Sequence, residues 1–219
     1  MTLVTSASVR PVSPPSAGVE NLPPEAVETL TRYLDLLAKW NRTYNLTAIR
    51  DRSQMITHHL HDSLAVVPWL PARRGIRVLD VGTGAGLPGI PLAVARPDST
   101  FVLLDANHKK IAFVTQAAIE LALANVHAVA ARVEDLAAER AFDVVISRAF
   151  SDLATFTRLA SPFVAPDGVL IAMKGARATD EIAALPPNIA IVETPGLNVA
   201  GLDAKRHLVV MRVIAGGNQ

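Results

Sequence analysis

The chain contains 219 residues with a mass of 23.3 kDa; half of them are hydrophobic and 19% are charged, a composition that excludes an intrinsically disordered protein. Its 21 lysines and arginines against 20 aspartates and glutamates exclude a protein that binds nucleic acid through bulk charge alone. The absence of cysteine excludes a disulfide framework, a thiolate zinc site and a cysteine nucleophile.

The amino-terminal segment, residues 1–21, is rich in serine, proline and threonine and has no apolar period, so we predict a disordered leader. It lacks the charged start and the apolar block of a secretory signal. The chain also lacks an apolar run of about eighteen residues, the length that spans a bilayer. We therefore expect a cytoplasmic protein that makes no membrane contact.

Residues 22–70 are predicted to form a helical cap. Proline at positions 23 and 24 suits a first helical turn, and apolar residues then recur at steps of three and four: Val27, Leu30, Leu34, Leu37 and Trp40. A second helix is predicted over residues 53–67 with Ser53 as its N-cap. Residues 44–47 between the two helices are predicted to be a loop.

Residues 71–219 alternate between short apolar strands and helical stretches, a pattern typical of a doubly wound, mostly parallel α/β sheet in a single domain. Five strands with crossover helices are predicted first, followed by two strands that close the sheet edge as an antiparallel pair. The seven predicted strands are residues 76–81, 100–104, 126–130, 144–146, 169–173, 189–192 and 207–213. The predicted helices are residues 90–95, 109–123 and 153–159. We expect a monomer.

A glycine-rich turn follows the first predicted strand, at the sheet edge where α/β proteins bind ligands. Two sequence templates fit this turn. In the first, Gly84, Gly86 and Gly89 match the dinucleotide pattern G-x-G-x-x-G. Asp80 with Gly82, Gly84 and Gly86 matches D-x-G-x-G-x-G, the pattern for S-adenosylmethionine. A turn without any ligand is a third, less favoured interpretation.

Two details favour S-adenosylmethionine. The carboxylate of Asp80 can hold the ammonium group of this donor, whereas it would repel a pyrophosphate. Pro88, at the predicted helix start, removes an amide donor that a pyrophosphate would use. Asp105 ends the next strand and can accept the ribose hydroxyls of either ligand. Glu134 lies where an adenine edge would be, and an exposed acid before a helix is an equally good interpretation.

The chain resembles the bacterial RsmG family, also called glucose-inhibited division protein B, which methylates ring position 7 of a guanosine in 16S ribosomal RNA. The resemblance runs from about residue 30 to 213 and rests on these stretches, in order: KWN (39–41), YNLT (44–47), His59, DS (62–63), DVGTGAGLPGIP (80–91), LLD (103–105), RVE (132–134), ISRAF (146–150), KG (174–175) and RHLVV (206–210). Ala85 within the glycine turn, the leader and the tail after Val213 depart from the family pattern.

The resemblance implies a seven-stranded Rossmann-like methyltransferase sheet with S-adenosylmethionine as methyl donor and 16S ribosomal RNA, within the small ribosomal subunit, as substrate. The resemblance also implies which residues contact the donor: Gly82, Leu87, Asp105, Val133, Glu134 and Arg148. Gly84 of the glycine turn is added to this predicted donor site.

The acceptor chemistry fits a ring nitrogen. Methylation at carbon 5 of a pyrimidine generally needs a cysteine thiolate, which this chain lacks. Methylation of an exocyclic amine usually relies on an Asn- or Asp-Pro-Pro-aromatic turn, whereas residues 147–150 read SRAF. Nitrogen 7 of guanine has a free lone pair and needs no general base. Catalysis is then mostly alignment of the two reactants.

Several side chains are predicted to position the substrate: Asn45, His59, Asp62, Arg148, Lys174 and Arg206. Arg148 can hold the carboxylate of the donor or a phosphate, and Phe150 can stack on a base, although core packing is the more favoured interpretation for Phe150. Lys174 can meet a phosphate or be a solvated strand-end lysine. His58 and His61 are predicted to be solvated, and no metal site is expected, because His58 and Asp62 supply too few ligands.

Six arginines are distributed over the predicted cap and its junction with the sheet: Arg42, Arg50, Arg52, Arg73, Arg74 and Arg77. This pattern indicates a moderate RNA footprint that favours a folded ribonucleoprotein surface over naked RNA. A dinucleotide oxidoreductase and a non-catalytic nucleotide-binding module remain as alternatives. A small-molecule methyltransferase would share the glycine turn but would leave these arginines unexplained.

Overall fold

The structure is a computed structural model that describes residues 18–137, 141–148, 150, 152–175 and 178–214. Most of the predicted leader, residues 1–17, lies outside the described residues. Its last part is folded, because Val19–Asn21 forms a 3₁₀ turn and Val19 packs against the hydrophobic core. No helix in the described ranges is long and apolar enough to cross a bilayer.

The first helix of the cap, α1 (Pro24–Tyr44), is confirmed, with proline at its first position. It buries one face, formed by residues at helical spacing: Leu30, Tyr33, Leu34 and Leu37. It ends at Asn45, whose φ of 50° lies in the left-handed region that asparagine tolerates. The predicted loop begins there.

The second cap helix differs from its prediction. It starts at α2 (Arg52–Met55) with Asp51 as N-cap, because the Asp51 carboxylate accepts a hydrogen bond from the Gln54 amide at 2.9 Å. A carboxylate cap is also favoured by the positive end of the helix dipole, so Ser53 falls inside the helix. The helix continues through a π-helical segment, π1 (Ile56–His61), into α3 (Asp62–Leu64), short of the predicted end at residue 67.

Within the described residues, eight strands form one sheet in the order β3-β2-β1-β4-β5-β8-β6, and β7 pairs with β8. The strands are β1 (Arg77–Val81), β2 (Thr100–Asp105), β3 (Val126–Ala130), β4 (Phe142–Arg148), β5 (Val164–Lys174), β6 (Ile189–Glu193), β7 (Gly196–Leu197) and β8 (Arg206–Val213). The first five are parallel, and β8 runs antiparallel to its neighbours, as predicted. The two-residue β7 was missed because it is too short to show a period of two.

The crossovers use α4 (Gly89–Ala95), α5 (His108–Glu120), α6 (Leu153–Ala160) and α7 (Thr179–Ala183). The prediction that a helix follows each strand is wrong after β3, where residues 131–137 contain only a 3₁₀ turn at Val133–Asp135. The chain moves from β1 outward to β2 and β3, then returns to the other side of β1 as β4. This reversal opens a crevice at the carboxyl ends of β1 and β4.

Candidate active site

The glycine turn lies at this crevice, and its glycines fall into two pairs. A Cβ atom added at Gly82 or Gly84 would meet nothing within 4 Å, and both residues have positive φ angles, of 73° and 60°. A Cβ atom at Gly86 would lie 2.5 Å from Ile90, and one at Gly89 would lie 2.1 Å from Leu103. The first pair therefore leaves open space in front of the turn, which we call the hollow, and the second pair permits close packing behind it.

Asp80, at the end of β1, braces the turn from inside. Its Oδ2 accepts hydrogen bonds from Thr83 Oγ1 at 2.6 Å and from the Gly89 amide at 2.9 Å. Burial raises the pKa of Asp80 to about 6, although these hydrogen bonds and the charge of Arg148 act in the opposite direction. This bracing role was not predicted, and the predicted contact between Asp80 and the donor ammonium stays a prediction.

Asp105 lies beside the hollow, at the carboxyl end of β2. Its Oδ2 accepts a hydrogen bond from the Gly84 amide at 2.9 Å, and its Oδ1 accepts one from the Asn107 amide at 2.8 Å. The Lys110 ammonium lies 3.6 Å from Oδ2. Because each carboxylate oxygen has two lone pairs, both oxygens retain capacity for a hydroxyl donor. The residues present thus fit the ribose of a nucleoside ligand.

The other predicted donor residues have different surroundings. Leu87 is buried in the glycine turn. Val133 is buried in the apolar cluster that includes Val81 and Leu104, whereas Glu134 beside it is exposed. Both lie in the 3₁₀ turn that follows β3, at the same sheet edge as Asp105.

Three predicted substrate residues form one charged cluster, which we call the arginine clamp: Asp62, Arg148 and Arg206. Arg206 Nε donates to Asp62 Oδ1 at 3.0 Å, and Arg148 Nη1 lies 3.4 Å from Asp62 Oδ2. The Asp62 side chain is 4% exposed, while the two arginine side chains are about a quarter exposed. Since Arg148 ends β4 and Arg206 begins β8, the clamp ties the cap to the sheet edge on both sides of β5.

The π-helical segment supplies a further contact to this clamp, because Arg148 Nη1 also donates to the His58 carbonyl oxygen at 3.0 Å. The next residue, His59, is 4% exposed, and its Nε2 lies 3.0 Å from Thr47 Oγ1. Burial lowers the pKa of His59 to about 4, and the positive charge of Arg148 lowers it further. His59 is therefore neutral near pH 7.

The neighbouring histidines correct another prediction. His58 and His61 are half-buried, and His61 Nδ1 lies 2.9 Å from the Ala200 carbonyl oxygen, so neither is simply solvated. Across the described ranges, no three histidine, aspartate or glutamate side chains are grouped so as to hold a metal ion.

Other predicted side chains have partners away from the clamp. Asn45 is exposed and accepts a hydrogen bond from Arg50 at 2.9 Å. Lys174 is 13% exposed and donates to Glu181 of α7 at 2.7 Å, so it is not a solvated strand-end lysine. Phe150 packs against Phe156, with ring centroids 5.6 Å apart, in agreement with the core-packing interpretation.

The arginines of the predicted RNA footprint are largely used in local contacts. Arg52 pairs with Asp35 at 2.9 Å and Arg74 with Asp98 at 3.4 Å, while Arg73 pairs with Asp143. The Arg77 guanidinium lies 5.0 Å from the centroid of the Phe142 ring. Exposed pairs of this kind contribute little stability and leave charge on the surface.

Sequence reasoning missed Tyr33, which is fully buried on α1 and donates a hydrogen bond from its hydroxyl to the Ala85 carbonyl oxygen at 2.7 Å. Burial raises the pKa of Tyr33, so the hydroxyl stays protonated and remains a donor. The signal was available, because Tyr33 lies on the apolar face of α1 and a buried tyrosine hydroxyl normally has a hydrogen-bond partner.

We expect Gly89→Ala to lower the free energy of unfolding by about 1–3 kcal/mol, because the new methyl group would overlap buried Leu103 and crowd the Asp80 carboxylate. Denaturant unfolding measures the change. Gly196→Ala is the matched control, since a Cβ atom there meets nothing within 4 Å. Equal stability of the two variants would contradict the packing described for Gly89.

The sheet order, the glycine turn at the crevice and the acid at the end of β2 define a Rossmann-like methyltransferase fold. The chain is similar to a SAM-dependent methyltransferase from Aquifex aeolicus, with a TM-score of 0.61, 17% identity, and coverage of 77% of this chain and 97% of that one. It is also similar to a 1,6-didemethyltoxoflavin-N1-methyltransferase from Burkholderia thailandensis, solved with S-adenosylhomocysteine, with a TM-score of 0.58, 14% identity, and coverage of 84% and 90%. These similarities concern the fold alone.

The sequence comparisons identify the family. The model of the GidB family, described as rRNA small subunit methyltransferase G, matches residues 26–209. A ribosomal RNA small subunit methyltransferase G from Chromobacterium violaceum is 53% identical over 185 residues, which cover 84% of this chain and 88% of that protein. One from Neisseria gonorrhoeae (strain NCCP11945) is 49% identical over 199 residues, with coverage of 89% and 95%. The chain belongs to the rRNA small subunit methyltransferase G family, and the resemblance in its motifs is confirmed.

Proposed function

We propose that this chain methylates nitrogen 7 of a guanosine in 16S ribosomal RNA, with S-adenosylmethionine as the methyl donor. The observation that carries the proposal is the hollow in front of Gly82 and Gly84 next to the Asp105 carboxylate. Membership in the family supports ribosomal RNA as the substrate and the methyl-donor template over the dinucleotide template.

The donor supplies a methyl group activated by its positive sulfur. In the proposed site, Gly82 and Gly84 give the donor access to the turn backbone, and Asp105 accepts the ribose hydroxyls. Arg148 holds the donor carboxylate through guanidinium donors that its bonds to Asp62 and His58 leave free. Leu87 and Val133 complete the donor site, and Glu134 lies on the side of the adenine.

The acceptor step needs alignment rather than a base. The lone pair of nitrogen 7 displaces the sulfur in line, and no proton has to leave the ring. His59 is neutral near pH 7 but is buried and engaged with Thr47, in agreement with a site that has no general base. Without a cysteine in the chain, the thiolate route to a carbon acceptor is excluded.

The substrate side is proposed to comprise Asn45, His59, Asp62, Lys174 and Arg206. Arg206 and Arg148 outnumber the single carboxylate between them, so the arginine clamp carries net positive charge at the crevice. This favours a phosphate of the RNA backbone. Because the charge of the whole chain is only +1, we propose that the substrate is the RNA within the small subunit and not free RNA. We further propose that the protein acts in the cytoplasm and as a monomer.

The test is transfer of radiolabelled methyl groups from S-adenosylmethionine to small ribosomal subunits and to deproteinised 16S RNA, followed by nuclease digestion and identification of the nucleoside. We expect labelled 7-methylguanosine, with more label in the subunits than in the free RNA. Label in a different nucleoside would overturn the assignment of the acceptor. No label in any RNA, despite measurable donor binding, would overturn the RNA substrate.

A further inference from the structure

Tyr33 connects the cap to the glycine turn of the proposed donor site and to α5, the helix that follows Asp105. Its hydroxyl donates to the Ala85 carbonyl oxygen in the glycine turn, at 2.7 Å. Its ring packs against Phe113 of α5, with centroids 6.2 Å apart, and α5 begins three residues after Asp105. A single side chain of α1 therefore contacts the turn and the helix that follows the acid.

The carbonyl that Tyr33 contacts lies in the glycine-rich part of the turn. Ala85 stands between Gly84 and Gly86, which both have positive φ angles and both allow many conformations. The Gly84 amide is bonded to Asp105, and the Gly86 amide is bonded to the Thr83 carbonyl oxygen. The Ala85 carbonyl and the Gly86 amide belong to one peptide group, so the Tyr33 hydroxyl and the Thr83 carbonyl oxygen hold this group at both of its polar atoms.

The surroundings make this hydrogen bond hard to replace. Ala85 is 4% exposed and Tyr33 is fully buried, so water has little access to either partner. Loss of the hydroxyl would leave the carbonyl oxygen unpaired in an apolar setting, and the turn would have to rotate to reach another donor. Such a rotation would also break the bond of the Gly86 amide to Thr83, and the strain would pass to Gly84 and to the surface of the hollow.

We propose that Tyr33 is a positioning residue for donor binding, an inference that rests on the proposed function of the same site. Helix α1, which belongs to the helical cap, thereby supports the donor site. Tyr33 acts through the glycine turn and does not itself have to touch the donor.

The test compares the affinity of purified full-length variants for S-adenosylhomocysteine by isothermal titration. Tyr33→Phe keeps the ring and its packing against Phe113 and removes the hydroxyl. We expect its Kd to rise about tenfold. The KM for the methyl donor should rise by a similar factor, while kcat and the KM for ribosomal subunits should change less than about twofold.

Two control variants separate positioning from loss of stability. Tyr44→Phe removes a hydroxyl from the last residue of the same helix, where the side chain is 44% exposed and stacks on Trp40. We expect it to bind S-adenosylhomocysteine like the wild type. Leu34→Ala loosens α1 by emptying a buried position next to Tyr33 without removing a hydrogen bond, and it should shift the Kd less than about twofold.

The outcomes are distinct. Wild-type affinity in Tyr33→Phe, or an equal loss of affinity in Leu34→Ala, would overturn the positioning role. A wild-type protein that binds S-adenosylhomocysteine but methylates no RNA would overturn the proposed substrate, and the Kd comparison would still decide the role of Tyr33. A wild-type protein that binds no S-adenosylhomocysteine would overturn both proposals.

Discussion

Asp62→Ala is expected to lower the free energy of unfolding by about 2–4 kcal/mol and to reduce methyl transfer at least a hundredfold. The substitution leaves the guanidinium groups of Arg148 and Arg206 without the carboxylate that they share. Removal of one partner from a buried ion pair typically costs about 3–5 kcal/mol, and we place the loss lower because the arginines are about a quarter exposed. The freed arginines would no longer hold their places at the crevice.

Urea unfolding and the labelled-methyl assay measure the two effects. Asp62→Asn should show an intermediate loss, because an amide oxygen can still accept one guanidinium bond. The matched control is Asp35→Ala, which breaks the exposed pair with Arg52 and should cost less than about 1 kcal/mol. An Asp62→Ala variant as stable as Asp35→Ala would rule out a stabilising role for the clamp.

The parts of the site that could be predicted from the sequence are those formed by contiguous residues. The glycine turn and Asp105 both follow apolar strands, and parallel strands bring their carboxyl ends to one edge, so position along the chain indicated position in space. The hollow arises because Gly82 and Gly84, in the glycine-rich sequence after β1, have no side chains to fill it.

The pairing of charged residues could not be predicted in the same way. Asp62 is 86 residues from Arg148 and 144 residues from Arg206, and nothing local selects these arginines among the others of the chain. The clamp forms because π1 and α3 place Asp62 between Arg148 of β4 and Arg206 of β8, the two strands that flank β5. The π-helical geometry of residues 56–61 leaves no signature in the hydrophobic period that sequence analysis reads.

Errors at element ends had local physical causes. Ser53 was predicted as the N-cap, yet the helix begins two residues earlier, where the charged Asp51 carboxylate accepts a hydrogen bond from the Gln54 amide. Tyr33 was overlooked because the apolar period of α1 was read from aliphatic residues and Trp40. A buried aromatic residue with a polar atom carries more information than the period alone, since that atom needs a partner.

A second expected effect of large size concerns pH. The pKa of His59 is lowered from 6.5 to about 4 in the folded protein, first by burial and then by the charge of Arg148. Between these values the unfolded chain binds a proton that the folded protein does not, so stability falls as the pH decreases from about 6.5 to about 4. This difference in pKa corresponds to about 3 kcal/mol.

Asp80 acts in the opposite direction over nearly the same range. Its pKa is raised from 3.8 to about 6, mainly by burial, so the folded protein holds the proton longer than the unfolded chain. The stability from this group is present below about pH 4 and is lost as the pH rises through about 6. The contributions of His59 and Asp80 to the pH dependence of stability therefore largely cancel in the wild type. A substitution that removes one group should reveal the contribution of the other.

We expect His59→Gln, which keeps a hydrogen-bonding group near Thr47 but cannot titrate, to lose the acid destabilisation. Its stability relative to the wild type should rise by about 3 kcal/mol between pH of about 7.5 and about 4, as measured by urea unfolding at each pH. His127→Gln, which removes an exposed histidine of β3, is the control. A His59→Gln profile parallel to that of the wild type would mean that folding does not lower the pKa of His59.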